Sequence, residues 1–259
     1  MVQHRNRSTL AGVIAGTFLA LLMAVPVHAE VTQEFHRTVP FSADGRVKLS
    51  NINGDVEITG WNKNEVQIDA VKTGRDQQSL DEARIEVNAG NTSVEIETHY
   101  PSHLINNNAA WVHYTLHVPQ NARLEKISLV NGALDVQRIS GEVNADLVNG
   151  KLHASDLAGT ADLATVNGTI EANYTSLTNV REIKLKSVNG SVDLLLPQSP
   201  NAEVSASTVN GAISTDFPLT IKGHWVGKNM SGTLGSGGVH IALNNVNGSI
   251  HVGPGRGRL

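Results

Sequence analysis

The fold is decided by a ten-residue stretch near the middle of the chain, which reads Ile127-Ser128-Leu129-Val130-Asn131-Gly132-Ala133-Leu134-Asp135-Val136. Its centre, a valine or isoleucine followed by Asn-Gly, recurs along the 259-residue chain with the asparagine at positions 53, 131, 149, 167, 189, 210 and 247. From 131 to 210 the spacings are 18, 18, 22 and 21 residues. Internal repeats of about 20 residues are typical of stacked architectures, so we predict a repeat protein.

Each flank of the Asn-Gly dipeptide carries one position that is apolar in every copy. The position four residues before the asparagine is occupied by Leu49, Ile127, Ala145, Leu163, Leu185, Ala206 and Leu243. The position three residues after the asparagine is occupied by Val56, Leu134, Leu152, Ile170, Val192, Ile213 and Ile250. Polar or small residues fill most of the positions beside the second column, so each flank is predicted to be a β-strand with one buried face.

The residue immediately before each asparagine decides between two folds. Asn-Gly between apolar runs favours a two-residue β-hairpin, in which this residue would pair with the residue after the glycine. The residues after the glycine include Lys151 and Thr169 and look exposed, whereas the residue before the asparagine is Ile52 once and valine in the other six copies. We therefore expect the valine column to face a narrow core and the chain to bend at Asn-Gly.

This interpretation predicts an all-β fold, a β-solenoid (parallel β-helix-like) with coils of about 18–22 residues. Coils stacked in register would let the repeated asparagine side chains form a hydrogen-bonded ladder, as stacked amides do in cross-β structures. The low aromatic content of 4% suits a thin interior filled with valine, isoleucine, leucine and alanine. The chain contains no cysteine, which excludes disulfides and thiolate chemistry.

The start of the chain predicts export. A basic segment with Arg5 and Arg7 precedes an apolar run, and Val27-His28-Ala29 supplies small residues at the cleavage position. We predict a signal peptide over 1–29, a mature chain that begins at Glu30, and a periplasmic or secreted protein without stable membrane insertion. An uncleaved membrane anchor is the alternative.

The rest of the chain divides by regularity. Residues 30–120 are predicted to form an N-terminal β cap region of the repeat domain, with a short helix over Ser79–Ala83 and a strand over Trp111–Val118. Residues 121–252 carry the regular Val-Asn-Gly repeats. Residues 253–259 are rich in glycine and arginine and are predicted to be a disordered tail.

These features resemble the secreted bacterial family of adhesin-like β-repeat proteins, a domain of unknown function. The resemblance lies in Asn53 to Trp61, in the Val118-Pro119 entry to Val130-Asn131-Gly132, and in the repeats that end with Val246 to Ile250. It covers nearly the whole mature chain. It implies a β-solenoid and an envelope location, and it carries no catalytic motif.

Composition and motifs narrow the chemistry. The formal net charge of −4 argues against nucleic acid as a partner, and we find no pattern for a catalytic, cofactor or metal site. The position four residues after the asparagine nevertheless gives Asp135, His153, Glu171 and Asp193, which stacked coils would align as an ionisable stripe on one outer face. We expect a solvated face there, with at most weak cation association.

Two functions from different classes remain open. The first is a non-catalytic, secreted cell-envelope protein of adhesin-like type, which presents a rigid β surface for binding or scaffolding. Its partner would be an unknown envelope or extracellular protein or a polysaccharide. The alternative is a carbohydrate-active enzyme, a polysaccharide lyase or hydrolase, because β-helices also host such enzymes. Fold alone does not support the second function.

Overall fold

A computed structural model describes residues 30–101, 109–222 and 227–255, so the predicted signal peptide over 1–29 lies outside the described residues. The first part contains strands Val31–Pro40 (β1), Arg46–Asn53 (β2), Val56–Trp61 (β3), Glu65–Gly74 (β4), helix Gln77–Glu82 (α1), Arg84–Ala89 (β5), Ser93–His99 (β6) and Trp111–Pro119 (β7). The repeats begin with strands Arg123–Asn131 (β8), Leu134–Gln137 (β9), Val143–Asn149 (β10), Leu152–Leu157 (β11), Ala161–Asn167 (β12), Ile170–Tyr174 (β13), Glu182–Asn189 (β14) and Val192–Leu196 (β15). The last strands are Ala202–Asn210 (β16), Ile213–Thr215 (β17), Thr220–Lys222 (β18), Lys228–Leu234 (β19), Val239–Asn247 (β20) and Ile250–Pro254 (β21).

The strands form two large sheets, which confirms the predicted all-β class. Sheet A has ten strands in the order β1-β4-β7-β3-β9-β11-β13-β15-β21-β17. Sheet B has eleven strands in the order β18-β19-β16-β20-β14-β12-β10-β8-β2-β6-β5. The two strands that flank each Asn-Gly lie in different sheets, β8 in sheet B and β9 in sheet A for example, so Asn-Gly is a corner between sheets and not a hairpin.

The repeats stack in parallel register. Asn131 pairs with Asn149, Asn149 with Asn167, and Asn167 with Asn189. The stack then departs from chain order, because β20 lies between β14 and β16 and β21 lies between β15 and β17. Antiparallel strands cover the ends of the stack, with β4 and β1 in sheet A and β5 and β19 in sheet B.

Both apolar columns that the sequence assigns to the core are buried. All seven side chains at four residues before the asparagine are at most 4% exposed, and those at three residues after it are at most 7% exposed. They join one continuous hydrophobic cluster with the inward residues of β7, which are Val112, Tyr114, Leu116 and Val118. The core therefore lies between the two sheets along the whole stack.

The valine column was wrongly assigned to this core. The six valines immediately before the asparagines are 38–46% exposed, and they point away from the core on the outer face of sheet B. Side chains alternate along a strand, so a residue one position before the asparagine faces opposite to one four positions before it. The inward position is two residues before the asparagine, where the side chains are at most 4% exposed: Asn51, Leu129, Leu147, Thr165, Ser187, Thr208 and Asn245.

The glycine of each repeat is required because a neighbouring backbone is too close. A Cβ on Gly150 would lie 1.9 Å from the carbonyl oxygen of Gly132, and a Cβ on Gly168 would lie 1.8 Å from that of Gly150. Gly150 also has a φ of +158°, at the limit of the region that favours glycine. The close approach of stacked corners thus explains the glycine better than hairpin geometry does.

The N-terminal region and the tail differ from their predicted boundaries. Strands β2 and β3 pair in parallel with β8 and β9, so part of the predicted cap over 30–120 belongs to the repeat stack itself. Helix α1 begins one residue after Asp76, whose side chain caps it in a capping box with Ser79. The predicted disordered tail over 253–259 begins too early, because Gly253 and Pro254 extend β21 along β15. Residues 256–259 lie outside the described residues.

Candidate functional site

A row of β-branched side chains, six exposed valines and the half-buried Ile52, runs along the outer face of sheet B. We call it the valine stripe: Ile52, Val130, Val148, Val166, Val188, Val246 and Val209, in stack order. Parallel register places these residues on successive strands, about 4.8 Å apart. Single exposed apolar residues are ordinary, but a contiguous apolar row is typical of an interaction site.

The valine stripe forms one wall of a groove. This valine groove has a volume of about 590 Å³, within the range of small-molecule sites. Its apolar wall consists of the first six residues of the stripe, from Ile52 to Val246. The facing wall consists of the outward side chains two residues earlier in each strand, which are Ser50, Ser128, Asp146, Ala164, Lys186 and Asn244. The residues between the two walls, whose side chains point into the core, complete the lining.

The asparagine ladder beside the groove is confirmed. In stack order each asparagine after Asn53 donates a hydrogen bond from Nδ2 to the Oδ1 of the preceding one, and the six bonds are 2.8–3.0 Å long. The backbone at the same corners forms a second set, in which a glycine N–H donates to the asparagine carbonyl of the next repeat at 2.9–3.0 Å. The edge of the groove is therefore held by two parallel hydrogen-bonded rows, which makes it rigid.

Buried polar side chains support the groove from inside. Asn245 Nδ2 donates to the carbonyl oxygen of Gly190 at 2.7 Å, and Ser187 Oγ donates to that of Gly168 at 3.1 Å. Asn51 Nδ2 donates to the carbonyl oxygen of Val112 at 2.9 Å. A buried polar group without such a partner is costly, so these bonds explain why polar residues occupy an inward position of the repeat.

The predicted ionisable stripe lies on the opposite side, on the outer face of sheet A. The structure aligns Asp135, His153, Glu171 and Asp193 on neighbouring strands in the predicted register. Glu171 Oε2 lies 3.2 Å from Lys151 Nζ and 3.6 Å from His153 Nδ1. Asp193 Oδ1 lies 3.8 Å from His251 Nδ1. In the described part of the chain, no group of three or more histidine, aspartate or glutamate residues is placed to hold a metal ion.

Burial or hydrogen bonding shifts the pKa of Tyr114, Tyr174 and Asp69, which lie outside the lining of the valine groove. Burial raises the pKa of Tyr114 to about 12, against the opposing effect of its hydrogen bond with Thr98. Burial also raises the pKa of Tyr174, whose hydroxyl has no hydrogen-bond partner among the described residues. For Asp69, desolvation raises the pKa, but hydrogen bonds from His36 and Gln67 outweigh it and leave the pKa lowered.

Sequence reasoning found the residues of the stripe but placed them on the wrong side of the sheet. The signal that identifies the groove is the odd spacing of three residues between the buried column and the valine column, which puts the two on opposite faces. Seven aligned β-branched residues on an outer face then predict an apolar row.

The geometry defines a class, that of β-repeat proteins whose stacked strands present a regular outer surface. The chain belongs to the Toastrack family DUF4097, whose pattern matches residues 38–253. No curated protein matches the chain. In the described residues, no helix has the length and apolar character that a membrane span requires.

The chain is similar to solved structures of low sequence identity, of which the first below shares the fold. A candidate cell adhesion protein of Clostridium sporogenes ATCC 15579 has 13% identity and a TM-score of 0.50, with 87% of this chain and 100% of that chain covered. A candidate adhesin of Bacteroides fragilis NCTC 9343 has 12% identity and a TM-score of 0.37, with coverage of 86% and 97%. A candidate lipid-binding protein of Parabacteroides distasonis ATCC 8503 has 12% identity and a TM-score of 0.31, with coverage of 86% and 97%.

Proposed function

We propose that this chain is a non-catalytic, secreted cell-envelope protein that presents a rigid β surface for binding, and that the valine groove is its binding surface. The observation that carries the proposal is the valine stripe itself. Six valines with nearly equal exposure stand in one row, and five of them line a groove of about 590 Å³. A repeat stack that leaves so regular an apolar row uncovered is best explained by a ligand that covers it.

The surrounding architecture supports a surface that holds its shape. The two sheets enclose one core, and we propose that their connected strands form the coils of a β-solenoid. The asparagine ladder fixes the spacing of the stripe, so the groove needs no rearrangement before a ligand binds. Such preorganisation lowers the cost of binding.

The location of the protein is proposed from the predicted leader. Residues 1–29 would be removed on export, which leaves Glu30 just before strand β1. A periplasmic or secreted protein of this kind meets envelope components, and the adhesin-like relatives are consistent with extracellular partners. N-terminal sequencing of the exported protein tests this point, because a chain that retains Met1 in the membrane fraction contradicts it.

The binding surface is tested with a fluorescent apolar dye, bis-ANS. The test variant is Val148→Asp, in the middle of the groove, and the matched control is Val71→Asp on strand β4 of sheet A. Both valines are 40% exposed, so the two substitutions remove the same exposed apolar surface. We expect dye binding to fall in Val148→Asp and to persist in Val71→Asp. Equal dye binding by the two variants would refute the groove as the binding surface.

A further inference from the structure

The valine groove has the dimensions of a site for one extended apolar chain. Its apolar wall is a single residue wide and passes from Ile52 to Val246 across six strands, a length of about 24 Å at 4.8 Å per strand. The acyl chains of one membrane leaflet span about 15 Å, half of the ~30 Å hydrocarbon core. A long acyl chain therefore fits along the groove with room for its head.

A second copy of this chain does not match the groove as well. A stable protein interface uses about 20–30 residues on each side. The valine stripe offers seven apolar residues in one line, and the facing wall carries Asp146 and Lys186 among small polar residues. A narrow ligand covers this surface more completely than a second flat sheet would.

The charges on the facing wall give the ligand a direction. Lys186 is the cation of the groove lining, and its Nζ lies 3.8 Å from Asp162 Oδ1, with its side chain about half exposed. From the strand of Lys186, the stripe continues from Val188 to Ile52 over four strand spacings, about 19 Å. An anionic head beside Lys186 would leave its hydrocarbon on the valines. Asp146 lies two strands away on the same wall and disfavours the anion there.

We infer that the ligand of the valine groove is a single long-chain fatty acid, whose hydrocarbon lies along the valine stripe and whose carboxylate lies beside Lys186. This inference rests on the binding surface proposed above and adds the chemical class of the ligand. Contact with the hydrocarbon supplies the affinity through burial of methylene groups. The ammonium of Lys186 supplies the preference for an anionic head.

The test measures displacement of the fluorescent fatty acid cis-parinarate from the mature protein. Oleate and oleyl alcohol, which share one chain and differ in the head, are the competitors. Val148→Asp is expected to weaken oleate binding by about tenfold or more, the equivalent of two buried methylene groups, whereas Val71→Asp leaves it unchanged. Lys186→Gln is expected to weaken oleate by about two- to fivefold and to leave oleyl alcohol unchanged.

The outcomes separate this inference from the proposed function. If bis-ANS binding depends on Val148 but oleate neither binds nor displaces cis-parinarate, the fatty-acid inference is wrong and the binding surface stands. If oleate binds equally to the wild type and to Val148→Asp, the inference is also wrong. A dimer in sedimentation that Val148→Asp dissociates would assign the stripe to a second copy. Binding to oleate-containing vesicles without binding of monomeric oleate would assign it to a membrane surface, and either result overturns the inference.

Discussion

Separate replacement of Leu147 and Val148 by alanine tests which of two adjacent side chains faces the core. Leu147 is 3% exposed, so Leu147→Ala loses the burial of its side chain and leaves a cavity, at a cost of about 2–5 kcal/mol. Val148 is 40% exposed. Val148→Ala removes two methyl groups at ~0.8 kcal/mol each, of which only part was buried, so its cost is about 1 kcal/mol. The free energy of unfolding should therefore differ by at least about 1 kcal/mol between the variants.

Urea unfolding followed by circular dichroism measures the difference, with the midpoint and the slope compared separately. An equal slope with a lower midpoint for Leu147→Ala is the expected result. Val148→Asp adds an exposed carboxylate near Asp146 and is expected to cost about 1–2 kcal/mol, which keeps the groove variant folded for binding studies. A Val148→Ala cost equal to or above that of Leu147→Ala would show that the valine column faces the core and would refute the groove.

Three further substitutions, two of them paired with a control substitution, are tested by the same unfolding measurement. Gly150→Ala is expected to lower the free energy of unfolding by about 3 kcal/mol or more, because its Cβ would lie 1.9 Å from the carbonyl oxygen of Gly132. Gly90→Ala is the control and should cost little, because the nearest atom to its Cβ would be 3.8 Å away. Asn167→Ala removes two ladder bonds and should cost about 1–3 kcal/mol, and no loss would show that the ladder adds nothing. Tyr174→Phe should be neutral or stabilising, because the buried Tyr174 hydroxyl has no hydrogen-bond partner in the part of the chain that the structure describes. Tyr114→Phe breaks the 2.7 Å hydrogen bond with Thr98 and should cost about 1 kcal/mol.

Much of the fold could be predicted because the same apolar and asparagine positions recur in every repeat. The two apolar columns identify the core, and the asparagine recurrence predicts the ladder that the structure contains. The face of the valines could not be read from residue type, since valine suits a strand on either face. The inward position two residues before the asparagine could not be predicted from residue type either, because it holds polar residues that are buried in the structure, such as Thr165, Ser187 and Asn245.

Burial of these polar side chains is tolerated because the Asn-Gly corner beside them supplies hydrogen-bond acceptors. Ser187 and Asn245 each donate to a glycine carbonyl oxygen of the adjacent repeat, a contact that depends on the stacking order and not on the local sequence. Within a single repeat these side chains have no hydrogen-bond partner, so the sequence of one repeat predicts that they face solvent. The inward position can be assigned only when the neighbouring repeat is considered, and this assignment also gives the outward direction of the valines.

The order of the last repeats follows from the edges that remain free in sheet B. Strand β19, which follows β16 along the chain after β17 and β18, pairs with β16 antiparallel and occupies one of its two edges. Had β16 also been paired with β14, both edges would have been taken and β20 would have had no place beside either strand. Strand β20 instead lies between β14 and β16 and pairs with both in parallel. This insertion places Val246 next to Val188 and leaves Val209 beyond the groove lining, so the valine groove ends at strand β20, although β16 lies beyond it in sheet B.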